Sequence, residues 1–200
     1  MTRIEKALIR VDKDLSELKV QWALVGGFAL AARGVPRATF DLDIAVAVEN
    51  DSEAENLIRS LRERSYSIKE SIEQEAAGRL ATVRLIAPDD LGIGVDLLFA
   101  SSGIETEIVE MAEILEIFEG LKIPVAATGH ILIMKILAGR PYDLEDAKRL
   151  FAFTTEGDLE LARQAADLIS QRGFDRRKNL AEELEQALRQ APRGGMGDPA

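Results

Sequence analysis

Ile4, Leu8, Val11, Leu15 and Leu18 recur at helical spacing, so an amphipathic helix is predicted over residues 1–20. The pattern then shifts. WALVGG reads as a short buried strand that stops at a glycine pair, with Trp22 a core residue. FALAAR follows as a small-residue helix ending at Gly34, and Pro36 prevents its continuation. In FDLDIAVAV, Phe40, Leu42, Ile44 and Val46 alternate with Asp41, Asp43 and Ala45, the period of a strand with two unlike faces. A second amphipathic helix is expected over 52–64, with Ala54, Leu57, Ile58 and Leu61 inward. Strands are expected near 67–70, 80–86 and 94–99, the last two joined by a turn at Pro88-Asp89-Asp90.

A mixed segment through Leu115 and Phe118 leads to a short strand, KIPVAA. From there the pattern is helical: 131–138, 144–153, 159–171 and 180–189. The tail APRGGMGDPA is expected to be disordered. The chain is thus α/β (α+β) in its first half and helical afterwards. A mixed-sheet core over 1–125, a helical subdomain over 126–190 and a tail over 191–200 describe it better than two independently folding units.

Composition narrows the chemistry more than the fold. With 46% hydrophobic and 30% charged residues, a chain of 200 residues can bury an ordinary globular core. The absence of cysteine excludes disulfides, thiolate zinc sites and cysteine nucleophiles, and is compatible with a reducing cytosol. The N-terminus carries charges every few positions and no apolar h-region. The longest apolar stretch, Ile123 to Ala138, is broken by Gly129 and holds His130 and Lys135. A cytoplasmic protein with no membrane segment is expected. The net charge of −10 argues against extensive nucleic-acid contact, although segregation of sign matters more than the sum. The one dense basic run, Arg172, Arg176, Arg177 and Lys178, reads as a solvated helix boundary.

Candidate chemistry begins with Asp41 and Asp43. Two apart on a strand, their side chains share one face, roughly 6.5 Å apart along the chain. Unpaired carboxylates on a core strand are costly, and a divalent cation resolves the conflict; magnesium prefers such oxygen ligands together with substrate phosphates. The plain alternative is a strand at a solvated sheet edge. Asp96, within the apolar strand GIGVDLLFA, supplies a third acid if that strand neighbours the first, enough for a two-metal centre. Its alternative is an ion pair with an arginine such as Arg84. Gly26 and Gly27, between strand and helix, allow close backbone approach to an anion, or simply make a tight turn. The lysine and Ser/Thr of a Walker loop are missing. His130 is the only histidine and is expected to cap or pack, since no zinc cluster or serine–histidine pair accompanies it.

The run LVGGFALAARGVPRATFDLDIAV resembles the first motif of the polymerase-beta-like nucleotidyltransferase superfamily, and more narrowly of its AbiEii-type toxin, MNT-like branch. Gly26, Gly27, Arg37, Thr39, Asp41 and Asp43 fill the positions of the glycine pair and of Arg-x-Thr/Ser-x-Asp-x-Asp. HILIMKILAGRPYDLEDAKRL resembles the branch's second motif, with Lys135, Arg140, Asp143 and Asp146 matching it. Tyr142 departs from the pattern, standing where relatives often carry lysine.

The resemblance implies a nucleotidyltransferase core and a reaction that moves a nucleoside monophosphate from an NTP, such as ATP, to an acceptor hydroxyl. It implies Mg2+ (or Mn2+) on Asp41, Asp43 and Asp96. Gly26 and Gly27 would hold the triphosphate, Lys135 and Arg37 would balance its charge, and Thr39 would support the loop. Arg140 and Asp146 would border the nucleotide, with Asp146 orienting Lys135 or Arg140; read from the residues alone, Asp143 is a helix N-cap and Lys135 a snorkelling lysine. The acceptor is left open between tRNA, protein and small molecule. The rival reading is a catalytically silent module whose acidic surface binds an antitoxin-like protein partner.

Overall fold

The computed structural model describes residues 1–74, 78–88 and 91–191. Helix α1 (Arg3–Glu17) opens on a capping box in which Thr2 and Glu5 satisfy each other's backbone N–H groups. Strand β1 (Trp22–Val25) runs directly into α2 (Gly26–Ala32). There follow β2 (Asp41–Val46), α3 (Asp51–Glu63), β3 (Ser67–Gln74), β4 (Arg79–Ile86), β5 (Gly94–Leu98) and α4 (Glu105–Glu110). Strands β6 (Glu113–Phe118) and β7 (Leu121–Val125) precede the helices α5 (Thr128–Ala138), α6 (Pro141–Leu150), α7 (Glu156–Gln171) and α8 (Leu180–Gln190).

The seven strands form one mixed sheet in the order β3-β4-β5-β2-β1-β7-β6. Strand β2 runs antiparallel to β1 and parallel to β5, so the Asp-x-Asp strand lies in the middle of the sheet and not at an edge. Its far half, Ile44 to Val46, is buried on both faces. Only the end bearing Asp41 and Asp43 opens outward. Phe40 does not share the inward face of Leu42: it precedes the strand and is 82% exposed. The alternation holds only where neighbouring strands cover both faces.

Two elements were hidden in the sequence pattern. The mixed segment through Leu115 and Phe118 is strand β6, paired antiparallel with β7 as a hairpin at the sheet's end. Edge strands bury little, so β6 alternates weakly, and Ile114 is left exposed. The short helix α4 precedes it. Strand β3, at the opposite edge, runs to Gln74, beyond the expected end, and is exposed along most of its length. Helices α5, α6 and α7 each begin about a turn earlier than periodicity suggests, because Thr155 caps α7 and Pro141 takes the first position of α6. The turn expected at 88–90 and the tail expected at 191–200 fall largely outside the described residues.

The hydrophobic core is continuous from Ala7 on α1 to Ala187 on α8. Helix α5 is buried on nearly every side, which accounts for its apolar sequence without any bilayer. Among the described residues no helix is long and apolar enough to cross a membrane.

Candidate active site

Strand register sets the site. Asp43 on β2 is the partner of Asp96 on β5 and of Val25 on β1, and Asp96 is in turn the partner of Arg84 on β4. Partners in register project from the same face, so Arg84, Asp96, Asp43 and Val25 form a row across four strands, with neighbours about 4.8 Å apart. Asp41 stands two residues before Asp43 on that face. The three carboxylates named from the sequence are therefore on one side of the sheet. They line a pocket of about 420 Å³ together with Gly26, Arg37, Thr39 and Lys135.

The glycine pair is bound up with Asp43. Gly26 has a φ of +65°, and a Cβ there would fall within the Asp43 carboxylate. Only glycine suits both demands. The Gly27 N–H donates to Asp43. A Cβ on Gly27 would come 2.8 Å from that of Thr39, whose hydroxyl donates to Asp41 Oδ1 at 3.1 Å. Burial, then the charges of Asp41 and Asp96, push the Asp43 carboxyl up to about 6, against the opposing pull of Lys135 and the Gly27 amide.

Asp96 is differently placed. Arg84 Nε donates to its Oδ1 at 2.6 Å and Arg84 Nη2 donates to its Oδ2, a bidentate pair. Nη2 also lies 3.6 Å from Asp41 Oδ2. The arginine partner that the sequence offered as an alternative is thus formed. Among the described residues no three His, Cys, Asp or Glu side chains are grouped closely enough to hold a metal ion by themselves. Asp41 and Asp43 suit an oxygen-loving divalent ion; Asp96 has both oxygens engaged.

The second motif assembles on the far wall. Helix α5 ends at Gly139 in the left-handed conformation, Arg140 is the N-cap of α6, and Pro141 follows. Asp143 is therefore not the N-cap. It lies in the first turn of the helix, 1% exposed, with Oδ1 2.8 Å from Lys135 Nζ and Oδ2 2.6 Å from Arg140 Nε. Burial works to raise its pKa, but Lys135 and Arg140 hold it below the ordinary value. Lys135 does not snorkel. It is buried and sits also 3.1 Å from Asp146 Oδ2, which in turn lies 3.0 Å from Arg37. Asp146 thus orients Lys135 and Arg37, and not Arg140.

Sequence reasoning missed Tyr142 as a contributor. Its ring carries the Arg140 guanidinium 4.8 Å and the Arg37 guanidinium 5.5 Å from its centroid, positioning two cations at the pocket's edge. The basic run near the C-terminus is not simply solvated: Arg172 pairs with Glu107, Lys178 donates to the Ile136 carbonyl, and Arg176 lines the pocket. An arginine within a basic run in an exposed turn gave no signal of that. His130 is buried within α5, away from the pocket lining; its Nδ1 has no hydrogen-bond partner among the described residues, and burial lowers its pKa to about 4.

Comparison with known proteins bears on the fold and on the family. The chain resembles an antigenic nucleotidyltransferase-like protein from Paracoccidioides brasiliensis, at 18% identity and a TM-score of 0.50, covering 92% of this chain and 91% of that one. It also resembles ANT(2'')-Ia, solved in complex with adenylyl-2''-tobramycin, at 17% identity and a TM-score of 0.50, covering 84% of this chain and 95% of that one. These likenesses show the fold. No curated protein matches the chain. Its residues 10–198 match the family described as the nucleotidyl transferase AbiEii toxin of the type IV toxin–antitoxin system, and with nearly the whole chain matched, the protein belongs to the AbiEii nucleotidyltransferase family.

Proposed function

We propose that the pocket transfers a nucleoside monophosphate from an NTP to a hydroxyl acceptor on tRNA, a protein or a small molecule. The observation that carries this reading is the Asp41–Asp43 pair, on a central strand, facing a glycine whose missing side chain leaves the carboxylate room. In the reaction the acceptor oxygen bonds to the α-phosphorus, the bond from that phosphorus to the bridging oxygen breaks, and pyrophosphate leaves with the electron pair. The hydroxyl proton passes to a carboxylate of this face or to water. Asp41 and Asp43 would hold Mg2+ or Mn2+, which would supply positive charge to the phosphoryl oxygens.

The protein's own cations do the rest. Lys135, fixed by Asp143 and Asp146, faces the carboxylate row from α5 and adds positive charge on the far wall of the pocket. Arg37 and Arg140, steadied on Tyr142, offer guanidinium groups suited to phosphate oxygens. The orientation of these groups before substrate arrives is what electrostatic catalysis requires. The helices from α5 onward form, in this reading, the subdomain that closes the pocket over the sheet. An antitoxin-like protein is the proposed macromolecular partner, in line with the family's toxin–antitoxin description.

The test is incubation of the protein with α-labelled NTPs, magnesium and a cell extract, with mass spectrometry of whatever becomes labelled. Transfer by wild type and none by an Asp41→Ala/Asp43→Ala variant is expected. Equal transfer by both would overturn the reading. Magnesium-dependent thermal stabilisation by an NTP separates the enzyme from a silent module, since ligand at 100 times its Kd adds about 2.7 kcal/mol.

A further inference from the structure

The row across the sheet holds a cation of the protein's own where a second metal ion would otherwise be expected. Arg84 and Asp96 are cross-strand partners in the β4–β5 ladder, so their backbones bring the two side chains together before any side-chain choice is made. Both guanidinium donors then meet both carboxylate oxygens. The same Nη2 stands 3.6 Å from Asp41, on the other side of the row. One guanidinium nitrogen is therefore within reach of Asp96 and Asp41 at once and places a positive charge beside both carboxylates. Bidentate arginine–carboxylate pairs are charge-assisted and geometrically matched, and a divalent ion approaching Asp96 meets the repulsion of that guanidinium.

The contrast with Asp43 is informative. No arginine or lysine forms an ion pair with Asp43 among the described residues; the Gly27 amide and, at longer range, Lys135 and Arg84 favour its charge. One half of the carboxylate row is balanced by the protein, and the other half is left for a ligand.

We propose that this site works with a single protein-held divalent ion, on Asp41 and Asp43, and that the Arg84 guanidinium, anchored by Asp96, takes the place of the second ion. Arg84 is then a positioning and charge-supplying residue, and Asp96 is its anchor and not a metal ligand. The inference rests on the nucleotidyltransferase reading of the pocket and narrows it from the two-metal centre that three converging acids suggest.

The count of bound ions tests it without any turnover. Full-length protein is mixed with α,β-methylene analogues of ATP, GTP, CTP and UTP, and Mn2+ bound per ternary complex is measured from the free-Mn2+ electron paramagnetic resonance signal. Wild type is expected to hold one Mn2+ per complex, Asp96→Asn also one, and Arg84→Ala two, as Asp96 is freed. Arg84→Gln, which keeps an unbranched stem and a polar end without the charge, is expected to hold two as well and serves if the alanine variant fails to fold. Two Mn2+ in wild type, or loss of an ion in Asp96→Asn, would overturn the inference while leaving the proposed function standing. One Mn2+ in both folded Arg84 variants would overturn it too. No Mn2+ in wild type with any analogue would overturn the inference and the reading of the site together.

Discussion

Asp43→Asn is expected to stabilise the metal-free protein at neutral and alkaline pH. In the folded chain, burial and then the charges of Asp41 and Asp96 raise this carboxyl from an ordinary 3.8 to about 6. A shift of that size corresponds to about 3 kcal/mol of preference for the protonated form. The side chain keeps partial access to water through the pocket, and screening reduces the expected effect to about 1–3 kcal/mol. The folded state binds the proton more tightly than the unfolded state. This contribution to stability is therefore fully present below pH 3.8 and is lost as the pH rises through about 6. Asparagine keeps the shape of the side chain and removes the charge that the fold accommodates poorly.

The assay is urea denaturation in EDTA across that range. Near pH 8 the variant should exceed wild type by about 1–3 kcal/mol, and the gap should close as the pH falls toward about 4. Saturating magnesium should stabilise wild type and leave the variant unmoved. A variant less stable than wild type near pH 8 in EDTA would mean that the carboxylate is satisfied within the fold, and the reading of Asp43 as a group awaiting a cation would fail.

Gly26→Ala forces an L-residue into the left-handed region, at a cost of about 1–2 kcal/mol, and drives Asp43 out of place. A folded variant is expected to lose about 100-fold or more in labelled-NTP transfer, and full activity would refute the cradle. Lys135→Ala leaves Asp143 and Asp146 buried without the ammonium they share, and a loss of about 3–5 kcal/mol is expected on denaturation. A loss below about 1 kcal/mol would show that Arg140 and Arg37 suffice to balance them. His130 has its pKa lowered to about 4 by burial, so its contribution to stability is present above the ordinary 6.5 and is lost as the pH falls through about 4. His130→Leu should flatten the acid limb of the stability profile, and an unchanged limb would refute the assignment.

The fold was legible wherever burial imposes a period. Strand β2 announced itself because its apolar residues face packed neighbours, and α1 because one stripe of it meets the core. The hairpin strand β6 was obscure for the converse reason: an edge strand with little burial has no reason to alternate. Phe40 shows the limit from the other side. It continues the alternation on paper, yet among the described residues no neighbouring strand covers it, and its side chain stands in solvent. Helix starts were placed late because a cap or a Pro at the first turn, and not the first apolar residue, determines where hydrogen bonding begins.

In the site, residue types were more legible than pairings. A motif says that Lys135, Asp143 and Asp146 belong together, but spacing alone allowed Asp143 to be an exposed cap. What decides is the apolar helix α5. An ammonium buried there needs counter-charge within reach, and the tight turn at Gly139 brings the first turn of α6 back against it. Asp143 is pulled inward by that need, and Arg140 takes the cap position by default. The same logic applies across the pocket: Asp96 is balanced because Arg84 lies beside it in register, whereas Asp43 is not, since its other neighbour in the row is Val25. Which carboxylate has an arginine beside it is thus set by strand order, a property that no single segment of the sequence carries.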